Sequence, residues 1–305
     1  MGGHGQVSGP PAARCAFMNL TSPSSVRSIL DQLDVIPSKA RGQNFLIDRN
    51  ILDIIMSVAA IQADDCVLEI GPGLGVVTGE LLGKARHVVA VEIDSRFCAY
   101  LAERFKAAEN LQLICGDALD LDLAALPDAG RQKVVANLPY SVASRVLVNL
   151  AESAAPPPAV VTTIQLEVAN RLTAGPGSKD YGALSIWVQA VYDVAIRKVV
   201  SSTCFWPRPG VESAVVSMKK RNDGAFVLKD RKLFHLVVKY SFMQRRKQLA
   251  STLARIPEFA TTSPGEWRQE LEKLGIDSCA RPEDLAISEW CQLADVASSL
   301  HPERK

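Results

Sequence analysis

Ile51, Ile54, Ile55 and Val58 recur at the spacing of a helix with one buried face and predict a helix over residues 50–60. Apolar runs of strand length follow at 66–70, 87–93, 111–115, 133–136 and 159–166, separated by helix-length segments at 78–84, 96–107 and 144–152. Strands that alternate with helices build a parallel sheet covered on both faces, so the expected fold class is α/β. Residues 182–218 read as further strands, and 211–218 alternate clearly. Beyond Asn222-Asp223-Gly224 the pattern turns helical, at 232–255, 264–274 and 288–300. The expected organisation is a tail over 1–25, rich in Gly, Pro, Ser and Ala, an α/β domain over 26–222 and a small α-helical domain over 223–305.

Composition narrows the class without naming it. The apolar runs fall far short of the ~20 residues that a membrane span requires, and no transmembrane segment is expected. The seven cysteines are scattered without a C-x-x-C pair, which predicts a reduced compartment and no zinc or other metal site. Net charge is only +1, but it is unevenly placed: residues 197–255 hold 14 Lys or Arg against Glu212, Asp223 and Asp230. Such segregation suits one face that meets a polyanion. The first 30 residues carry Arg14 and Arg27 and no acid, so organellar import is an alternative to a cytoplasmic protein with a plain tail.

Ligands of a parallel sheet bind beyond the carboxyl ends of its strands. Glu69, Glu92, Asp117 and Asn137 lie at or just beyond the ends of successive predicted strands, which would bring them to one rim. Gly71-Pro72-Gly73-Leu74-Gly75 links a strand to a helix and allows close backbone approach to a ligand. Its G-x-G-x-G spacing differs from the dinucleotide pattern. A carboxylate at Glu92 can accept from both hydroxyls of a ribose, and Asp117 can accept from an adenine amine or simply cap a turn. With Asn137 completing the rim, S-adenosyl-L-methionine is favoured over a nicotinamide cofactor.

Asn137-Leu138-Pro139-Tyr140 supplies the chemistry. An adenine N6 amine is a poor nucleophile because its lone pair is delocalised into the ring. Acceptors at the Asn137 side-chain oxygen and the Leu138 carbonyl can favour a localised lone pair aligned with an incoming methyl group. Pro139 would stiffen the loop, and the Tyr140 ring would stack on the base. Phe205, at the head of a proline-stiffened loop, is a candidate for the second face, with a core aromatic as the alternative. Gln244-Arg245-Arg246-Lys247, on the predicted helix after Phe242, offers phosphate donors for an RNA backbone.

Together with Gly42-Gln43-Asn44-Phe45-Leu46, Val91-Glu92-Ile93-Asp94, Gly116-Asp117-Ala118 and Phe205-x-Pro207-x-Pro209-x-Val211-x-Ser213, these motifs resemble the bacterial-type small-subunit ribosomal RNA adenine dimethyltransferases. The resemblance runs from about residue 25 to 300. It implies a Rossmann-like class I methyltransferase domain and a helical domain that helps to hold RNA. It also implies dimethylation, from S-adenosyl-L-methionine, of two adjacent adenines near the 3′ end of small-subunit rRNA in an assembling subunit, by an enzyme read here as a monomer. Cofactor contacts are implied at Gln43, Asn44, Leu46, Gly71, Gly73, Glu92, Asp117 and Asn137, and RNA contacts at Arg245, Arg246 and Lys247. The chain departs from the pattern in its long tail and in the bulk of Trp206. The alternatives are a large-subunit rRNA adenine methyltransferase of the resistance type and a non-catalytic RNA-binding factor on the same fold.

Overall fold

The computed structural model describes residues 20–37, 42–122, 125, 126, 128, 132–221 and 228–300. The chain begins with α1 (Pro23–Gln32), β1 (Phe45–Leu46) and α2 (Arg49–Ala59). An alternating series follows: β2 (Cys66–Ile70), α3 (Val76–Leu82), β3 (His87–Glu92), α4 (Ser95–Arg104), β4 (Leu111–Cys115), β5 (Lys133–Asn137), α5 (Ala143–Glu152), β6 (Ala159–Gln165) and α6 (Leu166–Thr173). After α7 (Ala183–Gln189) come β7 (Tyr192–Val200), β8 (Phe205–Trp206) and β9 (Ser213–Lys220). The chain then becomes helical, with α8 (Arg231–Met243), α9 (Leu249–Leu253), α10 (Pro264–Lys273) and α11 (Ile287–Leu300).

Local chemistry explains many of these limits. Asp48 caps α2 by accepting from the Ile51 amide at 3.0 Å, and Asp230 does the same for Leu233 in α8 at 2.9 Å. Ser263 and Glu266 form a reciprocal capping box at the start of α10, with Pro264 in the first turn.

The main sheet has the order β4-β3-β2-β5-β6-β9-β7, parallel from β4 to β6, with β9 antiparallel between β6 and β7. Side-chain alternation sends Leu68, Val134, Val160 and Val216 into one core, beneath α5, α6 and α7. Val67, Val135, Val161 and Val215 enter the opposite core with α2 and α3. Each such fully buried aliphatic side chain contributes about 1.5–3 kcal/mol. The order of strands reverses between β2 and β5, which opens a crevice at their carboxyl ends.

Three sequence expectations change. Residues 183–189 form a helix, not a strand. Leu184 and Val188, four apart, face the core under the sheet, whereas Ile186 and Ala190 face the core of the C-terminal helices. A helix buried on two sides thus imitates the alternation of a strand. The predicted helix over 232–255 is broken at Met243, and residues 244–247 form a turn before α9. Finally, the cysteines are not all unpaired: Cys98 on α4 and Cys115 at the end of β4 are joined, with Cα atoms 6.0 Å apart. The packing of α4 on β4 brings together two positions that show no sequence signal.

The proposed boundary at Asp223 lies outside the described residues, but the helical core already includes Tyr181, Ile186 and Ala190. At the tail's expected end, α1 has begun by Pro23. The two cores meet where Arg231 Nη1 donates to the Ala151 and Ser153 carbonyls and His235 Nδ1 contacts Glu152 Oε1 at 2.5 Å. Burial lowers the His235 pKa, with Arg231 adding to the effect, and the ring stacks on Trp187. Among the described residues no helix is long and apolar enough to cross a membrane.

Candidate active site

A cavity of about 430 Å³ opens at the switch point, large enough for a nucleoside-sized ligand. Gly71 and Gly73 from the turn after β2, Glu92 from β3, Asp117 after β4 and Asn137 from β5 all line it. Gln43, Asn44 and Leu46 line its N-terminal side. Gly75 has φ +80°, and a Cβ there would lie 2.7 Å from the Phe105 ring, so this turn needs glycine where it enters α3.

Glu92 is 5% exposed. Its Oε2 accepts from the Gly73 amide and its Oε1 from the Asp94 amide, each at 3.0 Å. Burial raises its pKa while these N–H groups oppose the shift. Each oxygen keeps a further lone pair for a ligand hydroxyl. Asp117 Oδ1 accepts from the Leu119 amide at 2.9 Å, so it caps the turn and still lines the cavity. Glu69, also on the wall, is 2% exposed, and its Oε2 is buried without a hydrogen-bond partner. Burial pushes its carboxyl up to about 8, with contacts from Thr78 opposing and the Glu92 charge adding.

Asn137 Nδ2 donates to the Asn44 carbonyl at 3.0 Å, which leaves Oδ1 as the acceptor end of the amide. The Asn44 segment reaches that carbonyl through Gly42, whose φ is +65° and whose missing Cβ would stand 2.7 Å from the Tyr140 amide nitrogen. Leu138 buries its side chain in the core and donates its amide to the Thr163 carbonyl at 3.2 Å. The Pro139 carbonyl accepts from the Val142 and Ala143 amides, both at 3.1 Å, and leads the chain into α5. Tyr140 is partly exposed, and its hydroxyl lies 2.5 Å from Ser213 Oγ.

Phe205 does not join them. It is 2% exposed in the core beneath β1, where Leu46 pairs with it across the two-stranded ladder. Its ring is already covered, which corrects the expectation that it stacks on a base. Trp206 pairs with Phe45, and the Arg27 guanidinium lies 5.5 Å above its indole ring. That bulky residue therefore helps to dock α1 against the site.

The α1 segment is the part of the wall that the sequence reading missed. Leu20 and Val26 line the cavity, and Val26, Ile29 and Leu30 pack with Leu74 and Phe97. Ser22-Pro23 ahead of a 26/29/30 apolar face was the available signal.

A family model for ribosomal RNA adenine dimethylase matches residues 37–299. The chain belongs to the ribosomal RNA adenine dimethylase family. The ribosomal RNA small subunit methyltransferase A of Pelotomaculum thermopropionicum is 40% identical over 288 residues, covering 90% of this chain and 96% of that protein. Its namesake in Geobacillus kaustophilus is 38% identical over 93% and 99% of the two chains. Among solved structures, a dimethyladenosine transferase from Plasmodium falciparum aligns with TM-score 0.70 at 25% identity, over 81% of this chain and 95% of that one. The 23S rRNA methyltransferase ErmE aligns with TM-score 0.59, also at 25% identity, over 83% and 98%.

Within this dimethylase chain the three basic residues Arg245, Arg246 and Lys247 divide in two groups. Arg245 pairs with Glu283 and donates to the Lys179 and Ser178 carbonyls at 2.8 and 3.0 Å, so it clamps the loop before α7 to the helical core. That corrects its assignment to RNA. Arg246 and Lys247 are exposed on the turn after α8.

Proposed function

We propose that this chain transfers methyl groups from S-adenosyl-L-methionine to the N6 amines of two adjacent adenines near the 3′ end of small-subunit rRNA, during assembly of the subunit. The observation that carries the reading is the orientation of Asn137. With Nδ2 held by the Asn44 carbonyl, Oδ1 is the end left to accept from an amine at the cavity rim. The small-subunit substrate is supported by the curated relatives named ribosomal RNA small subunit methyltransferase A, at 40% and 38% identity.

The wall fits the cofactor. Glu92 offers lone pairs to ribose hydroxyls, Asp117 an acceptor for an adenine amine, and Ile93, 64% exposed on the same wall, an apolar surface for the adenine ring. The unpartnered Glu69 oxygen suits a cationic ligand. When bound, the cofactor supplies an electrophilic methyl group on its sulfonium.

Asn137 Oδ1 and the Leu138 carbonyl accept from the two N–H groups of the target amine and favour a lone pair directed at that methyl group. Pro139 keeps these acceptors in place, and the Tyr140 ring covers one face of the base. The new N–C bond forms as the S–C bond breaks, and the displaced proton passes to solvent. A base taken from a helix must first be flipped out. Arg246 and Lys247 hold phosphates and contribute affinity without sequence choice.

Purified protein and labelled S-adenosyl-L-methionine are incubated with small subunits lacking adenine dimethylation, with naked large-subunit rRNA as the control. The expected result is primer-extension stops at two adjacent adenines near the small-subunit 3′ end. Label confined to large-subunit RNA overturns the substrate, and cofactor binding without label in either RNA overturns the activity.

A further inference from the structure

Ser213 is the final residue of the proline-loop motif and has no part in the chemistry above. It is fully buried at the head of β9, where its backbone pairs with Gln165 of β6 and Val200 of β7. The sheet thus fixes its hydroxyl from both sides. That hydroxyl lies 2.5 Å from the Tyr140 hydroxyl, across 73 residues of sequence. At its other end the ring joins a backbone that Gly42 approaches closely, leaving no room for a Cβ beside the Tyr140 amide nitrogen. The bond to Ser213 therefore fixes the far tip of the ring. With Phe205 enclosed in the core, Tyr140 is the one of the two expected stacking rings that remains partly exposed, between Pro139 and Ser141 of the cavity wall.

We propose that Ser213 is a positioning residue for methyl transfer, tethering the Tyr140 hydroxyl so that the ring is set for the target base before the base arrives. The proposal rests on the reading of Tyr140 as the stacking ring. A partly exposed tyrosine without this tether samples other χ1 rotamers, and a base laid on it would no longer hold its amine in line with Asn137 Oδ1. The tether removes that freedom in advance, when the β9 backbone is already ordered. A hydroxyl pair serves here because one short bond satisfies two polar atoms, that of Ser213 in a fully buried residue and that of Tyr140 in a partly buried one.

The test is a cycle of Tyr140→Phe, Ser213→Ala and the double variant, with Tyr140→Ala beside them. Single-turnover rates are measured on small subunits lacking the dimethylation at saturating S-adenosyl-L-methionine, with cofactor Kd measured separately. Each single variant is expected to lose about tenfold in rate, within what misorientation of a reacting group costs, at unchanged cofactor Kd. The double variant should lose no more than either single one, because the tether can be broken only once. Rates multiplying in the double variant would assign Ser213 a packing role and overturn the proposal. Tyr140→Phe keeps the ring and its volume, so it reports even if Ser213→Ala folds poorly: wild-type turnover in Tyr140→Phe overturns the tether. Tyr140→Ala separates the two levels. If it collapses while Tyr140→Phe and Ser213→Ala are normal, only the tether fails; if it too is normal, the stacking reading itself falls.

Discussion

The carboxamide of Asn137 is oriented by a backbone carbonyl 93 residues earlier: its Nδ2 donates to Asn44 O at 3.0 Å. An amide held by its nitrogen presents its oxygen elsewhere, so Asn44 selects the face that a substrate amine meets. Asn137→Ala is expected to bind S-adenosyl-L-methionine within a few-fold of wild type and to lose about 10²–10³ in turnover, the usual cost of removing one preorganised hydrogen-bond group. Asn137→Asp should fare no better, because it sets a carboxylate oxygen against the Asn44 carbonyl. Single-turnover methylation beside calorimetric cofactor binding checks both, and near-normal turnover in either variant removes Asn137 from the chemistry.

Gly42→Ala tests the same junction from the other side. Its φ of +65° disfavours a side chain by about 1–2 kcal/mol, and the new methyl would meet the Tyr140 backbone at 2.7 Å. Backbone cannot swing away as a side-chain tip can. A lowered Tm and a larger fall in turnover than in cofactor affinity are expected from thermal melts and kinetics; a variant matching wild type in both would show that the contact yields easily.

Arg245 and its two neighbours are expected to separate under salt. Arg246→Ala and Lys247→Ala should each lower the magnitude of the slope of log K against log salt for RNA binding by about 0.7–0.9. Arg245→Ala should leave the slope unchanged and cost about 1–3 kcal/mol of stability, since Glu283 and two carbonyls lose their donor. Salt titrations with urea unfolding decide the matter. A slope change in Arg245→Ala alone would return that residue to the RNA face.

The Glu69 carboxyl ties cofactor binding to pH. Its pKa of about 8 in the folded protein exceeds the ordinary 4.5, so the folded state holds a proton that the unfolded chain has released between those values. The contribution to stability is therefore highest below about 4.5 and declines as pH rises toward 8. A cationic ligand favours the ionised carboxylate, so affinity for S-adenosyl-L-methionine should increase from pH 6 to 8. Glu69→Gln should flatten that increase. Calorimetry over this range measures it, and parallel profiles for the two proteins would place the cation away from Glu69.

Much of the cofactor wall was legible before any coordinates. Glu69, Glu92, Asp117 and Asn137 lie at or just beyond strand ends, and a parallel sheet carries strand ends to one rim by its geometry alone. A short apolar run was also enough for β2, which is buried at every position, and for β4, although that strand lies at the sheet edge and is only partly buried. Periodicity failed at α7, where burial on two sides of a helix erased the amphipathic contrast that the period depends on.

The sequence by itself determined the order of strands and helices, the glycine turn and the residue types at the rim, since these depend on local spacing and on chemistry carried by single side chains. Only the tertiary structure decided what each polar group is already bound to. It turned Asn137 by way of Asn44, tied Arg245 to Glu283, enclosed Phe205 beneath β1 and joined the hydroxyls of Tyr140 and Ser213. Those partners lie 38 to 93 residues apart where they are bonded pairs. Hydrogen bonding and burial act over a few ångströms of space, and a linear pattern has no record of which distant segments the packed core brings that close.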